Sequence, residues 1–164
     1  MDILSKRSNN ASSKAVLAIK TTNPTVEEAI NKALPNVAQE SDLEELFNRL
    51  NNTTDPKSAT LLQKAVVNVV QSSPNAKGLT GKLAANISKS AAPSAAKYFP
   101  IFAGLGDDQS LQAVGNYVNN NNLELRTAAI TSLSSWSSAN ALPKLVSLSR
   151  TEKMTTYSIR FTED

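Results

Sequence analysis

The chain has 164 residues, a formal net charge of +3, no histidine and no cysteine. That length suits one domain with a continuous core. The missing residue types exclude disulfides, thiol nucleophiles, imidazole bases, Ser-His-Asp arrangements and Cys/His zinc sites. A metal would have to be a hard ion held by carboxylates. The pairs Glu27–Glu28 and Glu44–Glu45 are adjacent in sequence, and on a helix such neighbours point about 100° apart and do not converge on one ion. No cofactor and no catalytic residue is expected.

Aromatic residues make up only 5 % of the chain, so aliphatic and alanine contacts must fill the core. No run approaches the length of a membrane span. In Met1–Asn10, Lys6 and Arg7 are not followed by an apolar stretch, unlike a secretory signal. Residues 1–22 form an irregular N-terminal segment in which Ala15, Val16, Ala18 and Ile19 suggest a short helix.

From Pro24 to Ala38, Val26, Ile30, Ala33, Leu34 and Val37 share one helical face. Asn23 is placed to cap that helix with Pro24 at its first position, and Pro35 should end or kink it. Leu43, Leu46, Phe47 and Leu50 follow at i, i+3, i+4 and i+7, and Ser41 with Glu44 matches a capping box. A second hairpin opens at Asp55-Pro56. Leu61, Leu62, Ala65, Val66, Val69 and Val70 keep a 3.6-residue period despite the valines. After the Ser73-Pro74-Asn75 loop, Leu79, Leu83 and Ile87 mark its partner helix, with Gly81 a weakening residue.

The third hairpin starts near Pro93 and carries Tyr98, Phe99, Ile101, Phe102 and Leu105. Pro100 should kink it and Gly104 and Gly106 should end it. The Gly-Leu-Gly-Asp-Asp stretch lacks the Lys-Ser/Thr of a phosphate loop and reads as a connector. Leu111, Val114 and Val118 form the partner, ended by the run Asn119–Asn122. The fourth hairpin has Leu125, Ala128, Ala129, Leu133 and Trp136 on its first helix, and Leu142, Leu145, Val146 and Leu148 on its second. Met154, Tyr157 and Phe161, at i, i+3 and i+7, read as the start of a further, incomplete repeat over 151–164. An apolar stripe left without a partner there is a possible partner contact and suggests a piece of a larger polypeptide.

The leading leucines Leu43, Leu79, Leu111 and Leu142 are 36, 32 and 31 residues apart. A period of this size means stacked helical hairpins, because one hairpin cannot bury its own apolar face. The expectation is a single all-α domain over 1–164, with clear repeats from about 24 to 150 and nine or ten helices in antiparallel pairs.

The stretch Arg126-Thr-Ala-Ala-Ile-Thr-Ser-Leu, the kinked first helices and the repeat spacing resemble HEAT and HEAT-like repeats, whose fold is a right-handed α-α superhelix. Residues 104–114 followed by 128–150 look most like the HEAT-like region of large secreted bacterial proteins that carry a neighbouring sugar-hydrolase-type jelly-roll domain. The resemblance implies a non-catalytic module, an extracytoplasmic setting, and a structural ladder made by Asn121 and Arg126 between neighbouring inter-helix loops. Asn121 stands where HEAT turns usually have Asp.

Between Asp55 and Asp107 there is no acidic residue, and Lys57, Lys64, Lys77, Lys82, Lys89 and Lys97 fall in that stretch. A one-sign patch can attract polyanions, so these six are candidate anion-binding residues. They are spaced 5 to 13 residues apart without an arginine, whereas phosphate clamping favours arginine. The leading expectation is therefore a scaffold, monomeric or weakly oligomeric, that binds a protein or an adjacent domain. A nucleic-acid-binding protein of the HEAT-like DNA-glycosylase type is second. An enzyme of the bilin-lyase type, also built on such repeats, would lack histidine and cysteine for its chemistry.

Overall fold

The computed structural model describes residues 12–21, 23–143 and 146, and these are all helix, turn or loop, with no strand among them. Helix α1 covers residues 12–18. It is followed by α2 (Pro24–Val37), a 3-10 turn (Glu40–Asp42), α3 (Leu43–Asn52), α4 (Pro56–Ser72) and α5 (Ala76–Lys89). Then come α6 (Ala92–Ala96), α7 (Phe99–Leu105), α8 (Asp108–Gly115), α9 (Leu123–Ser134) and a second 3-10 turn (Ala139–Ala141). The valine-rich segment is helical throughout, as its period requires.

Four helix starts have a local chemical cause. Asn23, Asp55, Asp107 and Asn122 hold extended backbone, and their side-chain oxygens accept from the amides of Thr25, Ser58, Ser110 and Leu125. These bonds satisfy donors that the first helical turn leaves free. The start of α3 differs from the expected Ser41–Glu44 box. The Asp42 carboxylate accepts from the Gln39 amide at 2.8 Å, and the Asp42 amide donates back to the Gln39 carbonyl. The reciprocal pair is displaced two residues upstream because the chain enters α3 through a 3-10 turn. Pro35 does not end α2, which runs two residues further to Val37.

The third hairpin breaks at Lys97–Tyr98, and Pro100 sits in the first turn of α7, where a missing amide is harmless. Gly106 caps α7 with φ +69°, a left-handed conformation that suits glycine. Gly104 has a steric cause instead: a β-carbon there would lie 3.0 Å from Val67 Cγ2, so its absence allows α7 to approach α4.

Helices α2, α4, α7 and α9 pack in succession, while α3, α5 and α8 pack against members of that row. Leu34, Leu46, Leu50, Leu62, Val66, Leu83, Phe99 and Phe102 are fully enclosed in one continuous core. Phe47 meets Tyr98 with ring centroids 5.8 Å apart, and Phe99 meets Tyr117 edge-on at 5.2 Å. Of the fourth hairpin's expected inner residues, Ala129 and Leu133 are buried. Leu142 and Val146 instead are exposed at 58 % and 48 %. Val26 is likewise exposed, lying one turn before the point where α2 meets its neighbours. Leu145, Leu148, Met154, Tyr157 and Phe161 lie outside the described residues.

Polar rungs repeat with the same period as the leucines. Asn68 Nδ2 donates to the Pro35 carbonyl, Gln71 Nε2 to the Gly104 carbonyl, and Ser73 Oγ to Glu40, each 33 residues away. Gln63 Nε2 reaches the Lys97 carbonyl, 34 residues on. The Ser138 hydroxyl and the Asn140 amide both donate to the Gly106 carbonyl, across 32 and 34 residues. Most of these acceptors sit at helix C-terminal ends or breaks, where carbonyls have no partner within their own helix.

Two outcomes follow. Phe102→Ala removes a fully enclosed ring of α7 and should destabilise the chain by about 3–5 kcal/mol in urea denaturation; a loss under about 1 kcal/mol would contradict the packing. The backbone and hydroxyl of Ser58 hold the Asp55 carboxyl below its ordinary range. The unfolded chain then takes up the proton first as pH falls, so Asp55's contribution is complete above the ordinary carboxylate range and lost as pH drops through the lowered folded value. Asp55→Asn keeps a capping oxygen but does not titrate. Its stability should fall less steeply with acid than that of the parent chain, measured by thermal melts across the acidic range.

Candidate interaction surfaces

Five of the six candidate lysines are exposed and lie on two helices. Lys57 and Lys64 are exposed on α4, and Lys77, Lys82 and Lys89 on α5. Lys57 lies within the field of two carboxylates, lowering the pKa of Glu28, chiefly held down by Lys32, and that of Asp55. Lys97 is half-buried and turned to backbone. Its ammonium donates to the carbonyls of Leu50 at 3.1 Å, Asn51 at 3.1 Å and Thr53 at 2.7 Å. Three donors are all that an ammonium has, so none remains for an external anion. Lys97 is a C-terminal cap for α3, where positive charge meets the negative end of the helix dipole. The neighbouring Tyr98 hydroxyl donates to Asn51 Oδ1 at 3.1 Å, and burial raises the pKa of that phenol.

Asn121 and Arg126 are exposed, and neither side chain makes a hydrogen bond to a neighbouring loop among the described residues. The bonds that link successive hairpins come from Gln63, Asn68, Gln71, Ser138 and Asn140 instead. Each is a polar side chain about one period away from a helix end or break in sequence. The Gly-Leu-Gly-Asp-Asp connector is itself such a junction. Gly106 ends α7, Asp107 starts α8, and Asp108 Oδ1 accepts from Asn140 at 2.8 Å.

The described surface includes three depressions of note. One, of about 650 Å³, runs between α6, α7 and α9 and is mostly apolar. Its walls include Ala96, Pro100, Ala128 and Leu123, the last 66 % exposed. Leu123, Thr127 and Thr131 follow at i, i+4 and i+8 along one face of α9. A second, of about 530 Å³, lies between α5 and α8, where Lys77 faces Asp107 and Asp108. The third, of about 400 Å³, is a polar cleft between α2 and α3. There Glu27 and Asn31, one turn apart on α2, face Asn48 and Asn52, one turn apart on α3.

Among the described residues no group of three or more acidic, histidine or cysteine side chains could hold a metal ion. No helix there is long and apolar enough to cross a membrane. Trp136 packs against the core, and its buried Nε1 has no acceptor among the described residues. Comparison with protein-family models, with curated proteins and with solved structures finds no match.

Lys97→Met retains the aliphatic stem and removes the three donors. Chemical denaturation should show a loss of about 1–3 kcal/mol, because carbonyls at the end of α3 are left without partners. A neutral substitution would mean that water replaces the ammonium freely.

Proposed function

We propose that this chain is a non-catalytic interaction scaffold of the HEAT-like type, a right-handed stack of helical hairpins that binds a protein or a neighbouring domain of a larger polypeptide. What supports the repeat reading is agreement between two periods: leucines spaced by 31–36 residues and hairpin-linking hydrogen bonds spaced by 32–34. The observation that carries the binding reading is the apolar groove beside α9, with Leu123 exposed on its rim. Exposed apolar surface of this kind favours a protein ligand over a polyanion. A chain without histidine or cysteine also offers few of the groups that acid–base or nucleophilic chemistry uses.

The nucleic-acid reading stands second, on lysines that supply only a non-specific electrostatic attraction. It loses weight with Lys97 capping α3 and the other five divided between α4 and α5.

The two readings separate in paired selections. Peptides selected from a displayed random library on the immobilised chain should carry apolar anchors and lose binding with Leu123→Asp, while Lys82→Glu combined with Lys89→Glu leaves them bound. Duplex DNA near physiological salt should bind only weakly and without sequence preference. Submicromolar DNA affinity, lost in the double lysine variant, would overturn the scaffold reading.

A further inference from the structure

Helix α9 is apolar on more than its core face. Ala129 and Leu133 are buried, Leu125, Ala128 and Ile130 are partly covered, and Leu123 is 66 % exposed. A helix that is apolar all round is one that neighbours cover on several sides. The groove that α9 makes with α6 and α7 is open at Leu123, and small side chains such as Ala96, Pro100 and Ala128 line it. Glu124 is the charged residue of that lining, and it makes no ion pair among the described residues. Two cations lie near the groove in sequence, and neither serves Glu124. Arg126, two residues on, points to the opposite side of α9, and the Lys97 ammonium is held by carbonyls of the α3 end. The groove therefore suits an apolar stripe with positive charge along one edge.

Such a stripe follows in the same chain, outside the described residues. Met154, Tyr157 and Phe161 fall at i, i+3 and i+7, and Lys153 and Arg160 each stand one residue before a member of the stripe. In helical register both cations share one edge of it, joined by Asp164, while Glu152 and Glu163 lie on the far side. That edge carries two positive charges against one negative. Met154 stands eight residues beyond Val146, the last described residue. Those residues span up to about 26 Å, against about 18 Å for the length of α9, so the stripe is within reach of the groove. On so short a tether it meets the groove at an effective concentration of about millimolar. A contact too weak to join two molecules is then populated within one, which favours this segment over a second copy as the occupant.

We infer that residues 153–161 dock as a helix in the chain's own groove beside α9. Met154, Tyr157 and Phe161 cover Leu123, and Lys153 and Arg160 lie along the Glu124 side. An outside ligand of the groove then has to displace the segment, which makes the segment a built-in competitor. The docking rests only on the groove and the stripe, and stands or falls separately from the scaffold reading.

The test uses the full chain, which has no cysteine, so any disulfide reports a chosen pair. Tyr157→Cys is combined in turn with Thr127→Cys and with Thr131→Cys, two exposed groove residues one turn apart. Ile159→Cys, on the opposite face of the same segment, replaces Tyr157→Cys in the controls. Air oxidation at low protein concentration is followed by non-reducing electrophoresis. At least one Tyr157→Cys pair should close within a single chain about tenfold faster than its control. Adding Met154→Ser and Phe161→Ser should bring that rate down to the control's. A second readout needs no cysteine. The backbone amide NMR signals of residues 123–132 should shift when Met154, Tyr157 and Phe161 are all replaced by serine, with the α4 amides unchanged as the check on folding. Equal closure of test and control pairs, a disulfide that forms only between two chains, or unmoved amides would overturn the inference. Peptide binding in the groove without closure would also overturn it and leave the scaffold reading standing; closure without any selected peptide would do the reverse.

Discussion

Helices in this chain are short, and each leaves carbonyls at its C-terminal end that its own backbone cannot satisfy. Much of the structure depends on how those carbonyls are paired. The end of α2 is reached by Asn68 of α4, the end of α3 by Lys97 from the α6–α7 turn, and the end of α7 by Gln71 of α4. The Gly106 carbonyl, just past α7, is reached by Ser138 and Asn140 beyond α9. A capping side chain works only if its hairpin sits at the right height along the neighbouring one. Apolar contacts bring the helices together without direction; these polar contacts set their register.

The clearest case is the Lys97–Tyr98 turn. It interrupts what would otherwise be one first helix, and it carries three polar attachments. Its carbonyl accepts from Gln63 of α4, its ammonium closes the end of α3, and the Tyr98 hydroxyl bonds Asn51. Tyr98 also packs its ring against Phe47. The Lys97–Tyr98 break thus ties the α6–α7 turn to both α3 and α4. It also removes one of the six lysines of the acid-free stretch from the exposed set, since the Lys97 ammonium is tied to backbone oxygen.

Much of the fold was legible from residue spacing. The i, i+3, i+4, i+7 stripe of Leu43, Leu46, Phe47 and Leu50 and the period of Leu62, Ala65, Val66 and Val69 depend on local helical geometry, which the sequence carries directly. Asn23-Pro24 and Asp55-Pro56 were readable as helix starts for the same reason. Elements that depend on tertiary neighbours were not. The box at Ser41 and Glu44 lost to Asp42 and Gln39 because a 3-10 turn precedes α3. Asn121 and Arg126 gave way to amide side chains placed one period from a helix end, and the role of Lys97 is invisible until residues 46 positions apart come together. The polar cleft was hidden for a related reason. Asn31 looks like an ordinary helical polar residue until its burial against α3 and α4 is seen.

Native-state amide hydrogen exchange tests the central claim, that cross-hairpin pairing of helix ends makes successive hairpins one cooperative body. Amides in the centres of α2, α4 and α7, at Leu34, Val66 and Phe102, should then exchange through a single shared opening, with the same free energy and the same denaturant dependence. Exchange of α2 and α3 through an opening distinctly cheaper than that of α4 and α7 would contradict it, and would show that apolar contact alone holds hairpins that open one by one.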